Sequence, residues 1–176
     1  WSNEPVLNGC LLLPMGEWLV KMGRRSWQLP ATTPWFDTLH DYFSALPIAD
    51  LPRMAGTQSA WWDEMLRHPT YDDLWRACSY QHRWADMRVA ALNITGWWDM
   101  NFPGAPTNFA GLRRFGQTSR IRADQHLIIG PWWHHTNEDR ALNGVDFGEQ
   151  AIINLWEYAV RFYDHHLKGI ANGIER

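Results

Sequence analysis

Apolar positions in this chain follow two rhythms. Over 88–95 (RVAALNIT) and 125–129 (QHLII) they run almost unbroken for a few residues, as in strands covered on both faces. Each run ends at a turn: Gly96-Trp97-Trp98-Asp99 after the first, Gly130-Pro131-Trp132-Trp133-His134-His135 after the second. Between them, 107–115 is amphipathic and Gly116 follows, which predicts a helix. The order is strand, acid, helix, strand, histidine. That is an α/β pattern with a parallel sheet and crossover helices. In such sheets the ligand crevice lies at the carboxyl ends of the strands, where Asp99 and His134 both arrive.

Elsewhere the rhythm is helical. Residues 7–22 are apolar at helical spacing, interrupted at Pro14. Over 36–46, Phe36, Leu39, Tyr42, Phe43 and Leu46 share one face. Residues 59–67 predict a helix capped by Ser59. Residues 71–78 predict another, with Thr70 as cap and Asp72 and Asp73 in its first turn. Pro30, Pro34, Pro47 and Pro52 punctuate the connections. Residues 79–87 then cross into the first strand, and a polar loop fills 136–145. The strongest helical signal follows, with Asp146 and Glu149 as a capping pair and Gly169 as terminator. Its apolar residues Ile152, Leu155, Trp156, Ala159, Phe162, Tyr163 and Leu167 should cover the sheet, with Glu157, Arg161 and Asp164 turned away. His165-His166 reads as a helix-surface pair.

Composition narrows the class. In 176 residues, 45% hydrophobic and 14% aromatic content argues for a folded chain, and the net charge of −3 carries no basic stripe. Nucleic acid is therefore not an expected partner. No apolar run is long enough to span a bilayer, so no membrane partner is expected either. No basic segment followed by an apolar stretch opens the chain, so no signal peptide is visible and a cytoplasmic location is favoured. Cys10 and Cys78 lack metal spacing and read as buried free thiols. Of the thirteen Trp, six fall in pairs at 61–62, 97–98 and 132–133. They suit core packing, or an aromatic substrate pocket lined by Trp97, Trp98 and Trp133.

Asp99 and His134 lie 35 residues apart, room for one crossover helix and a strand. They fit the last two places of the α/β-hydrolase order Ser, Asp or Glu, His. The acid would orient the imidazole and steady its protonated form. No G-x-S-x-G is present, and the chain begins at Trp1 rather than Met. An internal or C-terminal piece of a larger hydrolase is therefore expected, inactive alone, with the tail 170–176 leading toward a further domain. Its open sheet edge would favour self-association. Two alternatives remain. One is a non-catalytic Trp-rich binding module. The other is a metal-dependent hydrolase using His134, His135 and Glu138, with Asp139 and Asp99 nearby, although no H-E-x-x-H spacing supports it. No cofactor motif is present, and no cofactor is expected.

Five stretches together resemble one hydrolase family. They are His68-Pro69-Thr70-Tyr71-Asp72-Asp73-Leu74-Trp75; Gly96-Trp97-Trp98-Asp99; Gly130-Pro131-Trp132-Trp133-His134; Asp146-Phe147-Gly148; and the run from Phe162 to Gly169. The chain is similar to the group of bacterial cocaine esterases, α-amino-acid ester hydrolases and X-Pro dipeptidyl-peptidases. The resemblance covers residues from about 60 onward well and earlier residues weakly. It implies a partial α/β-hydrolase fold, with 1–83 as a helical cap and 84–176 as the C-terminal part of the core. A jelly-roll domain follows in full-length members. It implies Asp99 as triad acid and His134 as triad base, with nucleophile and oxyanion donors upstream, and an ester, amide or peptide as substrate. Two positions depart from the family pattern: Trp98, where Tyr is commoner, and Trp133, where Ser or Thr is commoner.

Overall fold

The computed structural model describes residues 46–54 and 58–174, together with 2–3, 6–7, 10–11 and 44. The chain divides into two compact units, 1–78 and 79–176.

The first unit opens with three short antiparallel strands. They are β1 (Ser2–Asn3), β2 (Val6–Leu7) and β3 (Cys10–Leu11), with Ser2 opposite Leu7 and Val6 opposite Leu11. Leu7, Cys10 and Leu11 are thus strand residues rather than the start of a helix. Asn8-Gly9 between β2 and β3 is a dipeptide with a strong preference for reversal. The rest of 12–22 lies outside the described residues, as does 36–46 apart from residues 44 and 46. Pro52 does not end an element. It is the second residue of α1 (Leu51–Met54), where the missing N–H is no loss because first-turn donors have no helical partner.

Helix α2 (Ala60–Arg67) begins as expected, with the Ser59 hydroxyl accepting from the Trp62 N–H at 3.2 Å. Trp62 and Met65 are its buried residues. Helix α3 (Asp73–Cys78) starts later than Thr70 would cap it. Asp72 takes that place, accepting from the Leu74 N–H at 3.1 Å. His68 joins the two helices: Nδ1 lies 2.6 Å from Asp72 and Nε2 lies 3.2 Å from Glu64. The Trp75 indole donates to the His68 carbonyl at 2.8 Å and meets Trp61 edge-on. Cys10 and Cys78 are free and exposed, not buried; Cys78 is the last residue of α3.

The second unit is a βαβ unit with additions. Strand β4 (Ala91–Gly96) pairs in parallel with β5 (Gln125–Gly130), from Ala91 opposite Gln125 to Gly96 opposite Gly130. Among the described residues neither strand has a second neighbour. The crossover is α4 (Gly104–Phe115) and α5 (Ser119–Ala123). Helix α4 begins three residues before 107, after Pro103, and Gly116 closes it with its N–H on the Leu112 carbonyl. Residues 79–87 do not simply cross. Gln81–Asp86 form a 3-10 turn whose Trp84 stacks on Phe115 and lies over Gly111, where any Cβ would overlap the indole. The buried Gln125 amide donates to the Val89 and Ile121 carbonyls at 3.1 and 2.7 Å, tying the strand to its crossover.

The polar stretch after His134 contains a hairpin, β6 (Ala141–Leu142) and β7 (Val145–Asp146). Its Asn143-Gly144 turn has both φ values positive, 51° and 82°, as a two-residue hairpin of the tightest kind requires. Asp146 therefore belongs to the hairpin, not to a helix cap. Helix α6 (Leu155–Lys168) is capped instead by Asn154, which accepts from the Glu157 N–H while its own amide donates to the Glu157 carboxylate. Gly169 ends α6 at φ 71°, as expected.

Only part of the apolar surface of α6 is used. Phe162 is buried, with Tyr158 and His166 beside it. Trp156, Val160, Tyr163 and Leu167 form an exposed stripe at three-to-four spacing. Arg161 is not simply turned away: its guanidinium donates to the Asn172 carbonyl and the Asn172 amide donates back to the Arg161 carbonyl. His166 is inward rather than on the surface. Among the described residues no helix is long and apolar enough to cross a membrane.

Candidate active site

The ends of β4 and β5 are locked together beyond the strands proper. The Trp97 N–H donates to the Gly130 carbonyl and the Trp98 N–H to the Trp132 carbonyl, each at 2.9 Å. Trp132 is almost fully buried and sits on both strand ends. A Cβ at Gly96 would overlap the Trp132 main chain, and one at Gly130 would overlap its indole. Both glycines are needed for that close approach. The Trp132 Nε1–H donates to the Ala151 carbonyl at 2.6 Å, anchoring the pillar from the far side.

This arrangement brings the predicted acid and imidazole together. Asp99 Oδ1 lies 3.1 Å from His134 Nδ1. The same oxygen accepts from the Asn101 N–H at 2.8 Å, an Asx turn that fixes the carboxylate. The Asp99 side chain is 9% exposed and that of His134 57%. An ionised carboxylate can only accept, so the hydrogen between them sits on His134 Nδ1. Nε2 is then the basic nitrogen, free to take a proton from a partner. A half-exposed imidazole backed by an enclosed carboxylate is the geometry of a general base.

His135 turns elsewhere. Its Nδ1 lies 3.2 Å from Glu138, and its ring stacks on Trp133 with centroids 4.4 Å apart. The His134, His135 and Glu138 groups therefore do not share a centre, because each imidazole has taken a different carboxylate. Among the described residues no three His, Cys, Asp or Glu side chains converge to hold a metal ion. The metal-dependent alternative loses its ligand set on that geometry.

The tryptophan pairs split in their roles. Trp62 and Trp132 are buried packing residues, while Trp97, Trp98 and Trp133 are exposed on the turns that carry Asp99 and His134. Trp97 is held by a stack on Phe102 at 4.9 Å. Two supports of the site had no signal in the sequence. One is the Trp132 anchor. The other is Asn137, at φ 63°, whose amide donates to the Ile153 carbonyl and accepts from the Ile153 N–H, both at 2.8 Å.

The parallel strand pair and its crossover helix define an α/β protein, with an acid and a histidine paired at the carboxyl end of its strands. The chain matches the family described as X-Pro dipeptidyl-peptidase (S15 family) over residues 8–136, and it belongs to that family. It is similar to the cocaine esterase of a Rhodococcus species, 31% identical over 139 residues, which is 74% of this chain and 22% of that protein. It is also similar to putative serine esterases of Mycobacterium bovis and Mycobacterium tuberculosis. Each is 31% identical over 98 residues, 52% of this chain and 14% of the relative. The chain thus spans about a fifth or less of the length of these relatives.

Proposed function

We propose that this chain carries the acid and the base of a serine hydrolase that cleaves an ester or amide by acyl transfer. The 3.1 Å contact between Asp99 and His134 at adjacent parallel strand ends is the observation that supports it. In this reading the attacking serine lies in residues beyond these 176, which hold no G-x-S-x-G. His134 Nε2 accepts the hydroxyl proton as the oxygen attacks the carbonyl carbon. It returns that proton to the leaving alcohol or amine as the tetrahedral intermediate collapses. Water then attacks the acyl-enzyme with the same base, releasing the acid. Asp99 holds the productive tautomer and stabilises the imidazolium formed in each step.

The first unit, 1–78, serves as the cap in this account, with three short strands ahead of its helices, and 79–176 supply the C-terminal part of the core, a boundary five residues earlier than the expected 83/84. Trp97, Trp98 and Trp133 offer flat apolar walls beside the base for a small ester, amide or peptide substrate. By itself the segment does not turn over substrate, and the open edges of its strand pair favour self-association. The reading is tested in the full polypeptide that carries this segment, with p-nitrophenyl esters and X-Pro anilides as substrates. His134→Ala and Asp99→Asn should each lower kcat by about three to four orders of magnitude. Near-normal turnover by either variant would remove that residue from the mechanism.

A further inference from the structure

Under helix α6 lies a second group of histidines, unrelated to Asp99 and His134. His126 projects from β5 and meets three residues of α6 at successive turns. Its Nδ1 lies 3.1 Å from the Tyr158 hydroxyl. Its ring packs edge-on to Phe162 at 5.4 Å and to His166 at 6.0 Å. His166 also leans on Phe162 at 4.5 Å. Its Nε2 is buried without a hydrogen-bond partner. Two imidazoles thus stand where the helix meets the strand. A second proton on each ring would set two cations edge to face at 6.0 Å and leave a buried N–H of His166 unanswered.

We propose that the His126–His166 contact makes α6 a pH-gated element, docked on β5 when both rings are neutral and released when they take up protons in mildly acidic solution. Charged and titratable groups face the two rings from α6 and from the turn before β5. From α6, Tyr158 bonds His126, and His165 faces His166 at 4.8 Å and opposes its protonation. From the turn before β5, Asp124 favours the charged forms but is itself paired with Arg120 at 3.5 Å. Burial outweighs Asp124 and holds both imidazoles below the usual histidine range. A released helix exposes them at an ordinary value of about 6.5. The released form therefore binds more protons below that pH, so docking weakens as pH falls. Above it both forms are neutral and docking has its full strength.

Release would not stay local. The lead into α6 is tied to the His134 turn through Ile153 on Asn137 and through Ala151 on the Trp132 indole. Losing the helix strips those anchors. The proposal stands whether or not His134 acts as a base.

Hydrogen exchange of this chain, corrected for intrinsic rates, tests it. Protection of amides in 155–168 should fall at least about tenfold between pH 8 and pH 5. Protection within twofold of constant across that range overturns the proposal. The double variant His126→Phe, His166→Phe should keep its helix protection at pH 5; an equal fall there overturns the assignment to these rings. Asp124→Asn gives an independent reading, because it withdraws the carboxylate that compensates a docked imidazolium. Release should then begin at higher pH, and an unchanged or lower midpoint counts against the proposal.

Discussion

Gly96→Ala is the substitution whose effect follows most directly from the packing at the strand ends. The added methyl would overlap the Trp132 carbonyl, which is main chain and cannot swing aside. That carbonyl also accepts the Trp98 N–H at 2.9 Å. Relieving the overlap means separating the two turns and breaking that bond. Overpacking costs about 1–3 kcal/mol and the lost hydrogen bond about 1 kcal/mol, so unfolding of the second unit should become easier by roughly 2–4 kcal/mol. Urea unfolding followed through the Leu112 or Gly130 amide reads that unit alone. With an ordinary slope of about 2 kcal/mol per molar, the midpoint should drop by about 1–2 M. Gly104→Ala is the matched control. It opens α4, meets nothing within 4 Å and has no positive φ, so it should leave stability unchanged or slightly improved. A loss below about 0.5 kcal/mol for Gly96→Ala would show that Trp132 does not rest on the strand ends as described.

Two further outcomes are expected. Asn137→Ala removes both bonds to Ile153 and puts a Cβ residue without side-chain support at φ 63°; exchange of the Ile153 amide should accelerate at least about tenfold, and an unchanged rate would sink the anchoring role. At the corner of α2 and α3, the hydrogen bond that Asp72 accepts from His68 raises His68 above the usual histidine value and in turn lowers Asp72. The stability from His68 is complete below about pH 6.5 and lost as pH rises through its raised value, while that from Asp72 is present above about pH 4 and lost in stronger acid. An NMR titration should put the His68 midpoint above 6.5 and Asp72→Asn should bring it down; a wild-type midpoint at or below 6.5 would contradict the pairing. The His68 response runs opposite to that of His126 and His166: as pH rises through the raised His68 value the first unit should lose stability, while the contact of α6 on β5 keeps its full strength.

The strands, the crossover helix and the acid–histidine spacing were legible because they rest on burial and order along the chain, which a single sequence displays. Ser59 was legible as a cap because its partner is three residues away. Thr70 and Asp146 misled for one reason. Each is a good cap chemically, but a nearby group, Asp72 in one case and the Asn143-Gly144 hairpin in the other, moved the helix start past it. The hairpin did carry a signal, the Asn-Gly dipeptide, hidden inside a stretch that looked merely polar. Helix α6 shows the opposite limit. Its periodicity reads as one apolar face laid on the sheet, yet Phe162 is buried while Ile152, Trp156, Tyr163 and Leu167 are exposed, because spacing along a helix does not say how much of a broad apolar face a two-stranded sheet will cover. The seat of Trp132 on two glycines, and the turn of His135 toward Glu138 instead of a shared centre, are contacts between segments brought together only by folding.

The central claim is that Asp99 holds His134 with its hydrogen on Nδ1 and its lone pair on Nε2. Long-range nitrogen–proton NMR of the His134 ring at pH 8 reads that tautomer on this chain directly. The account predicts the Nδ1–H form in the wild type and a shift toward the Nε2–H form, which free imidazole side chains prefer, in Asp99→Asn. A wild-type His134 already in the Nε2–H form, or one indifferent to Asp99→Asn, would contradict it.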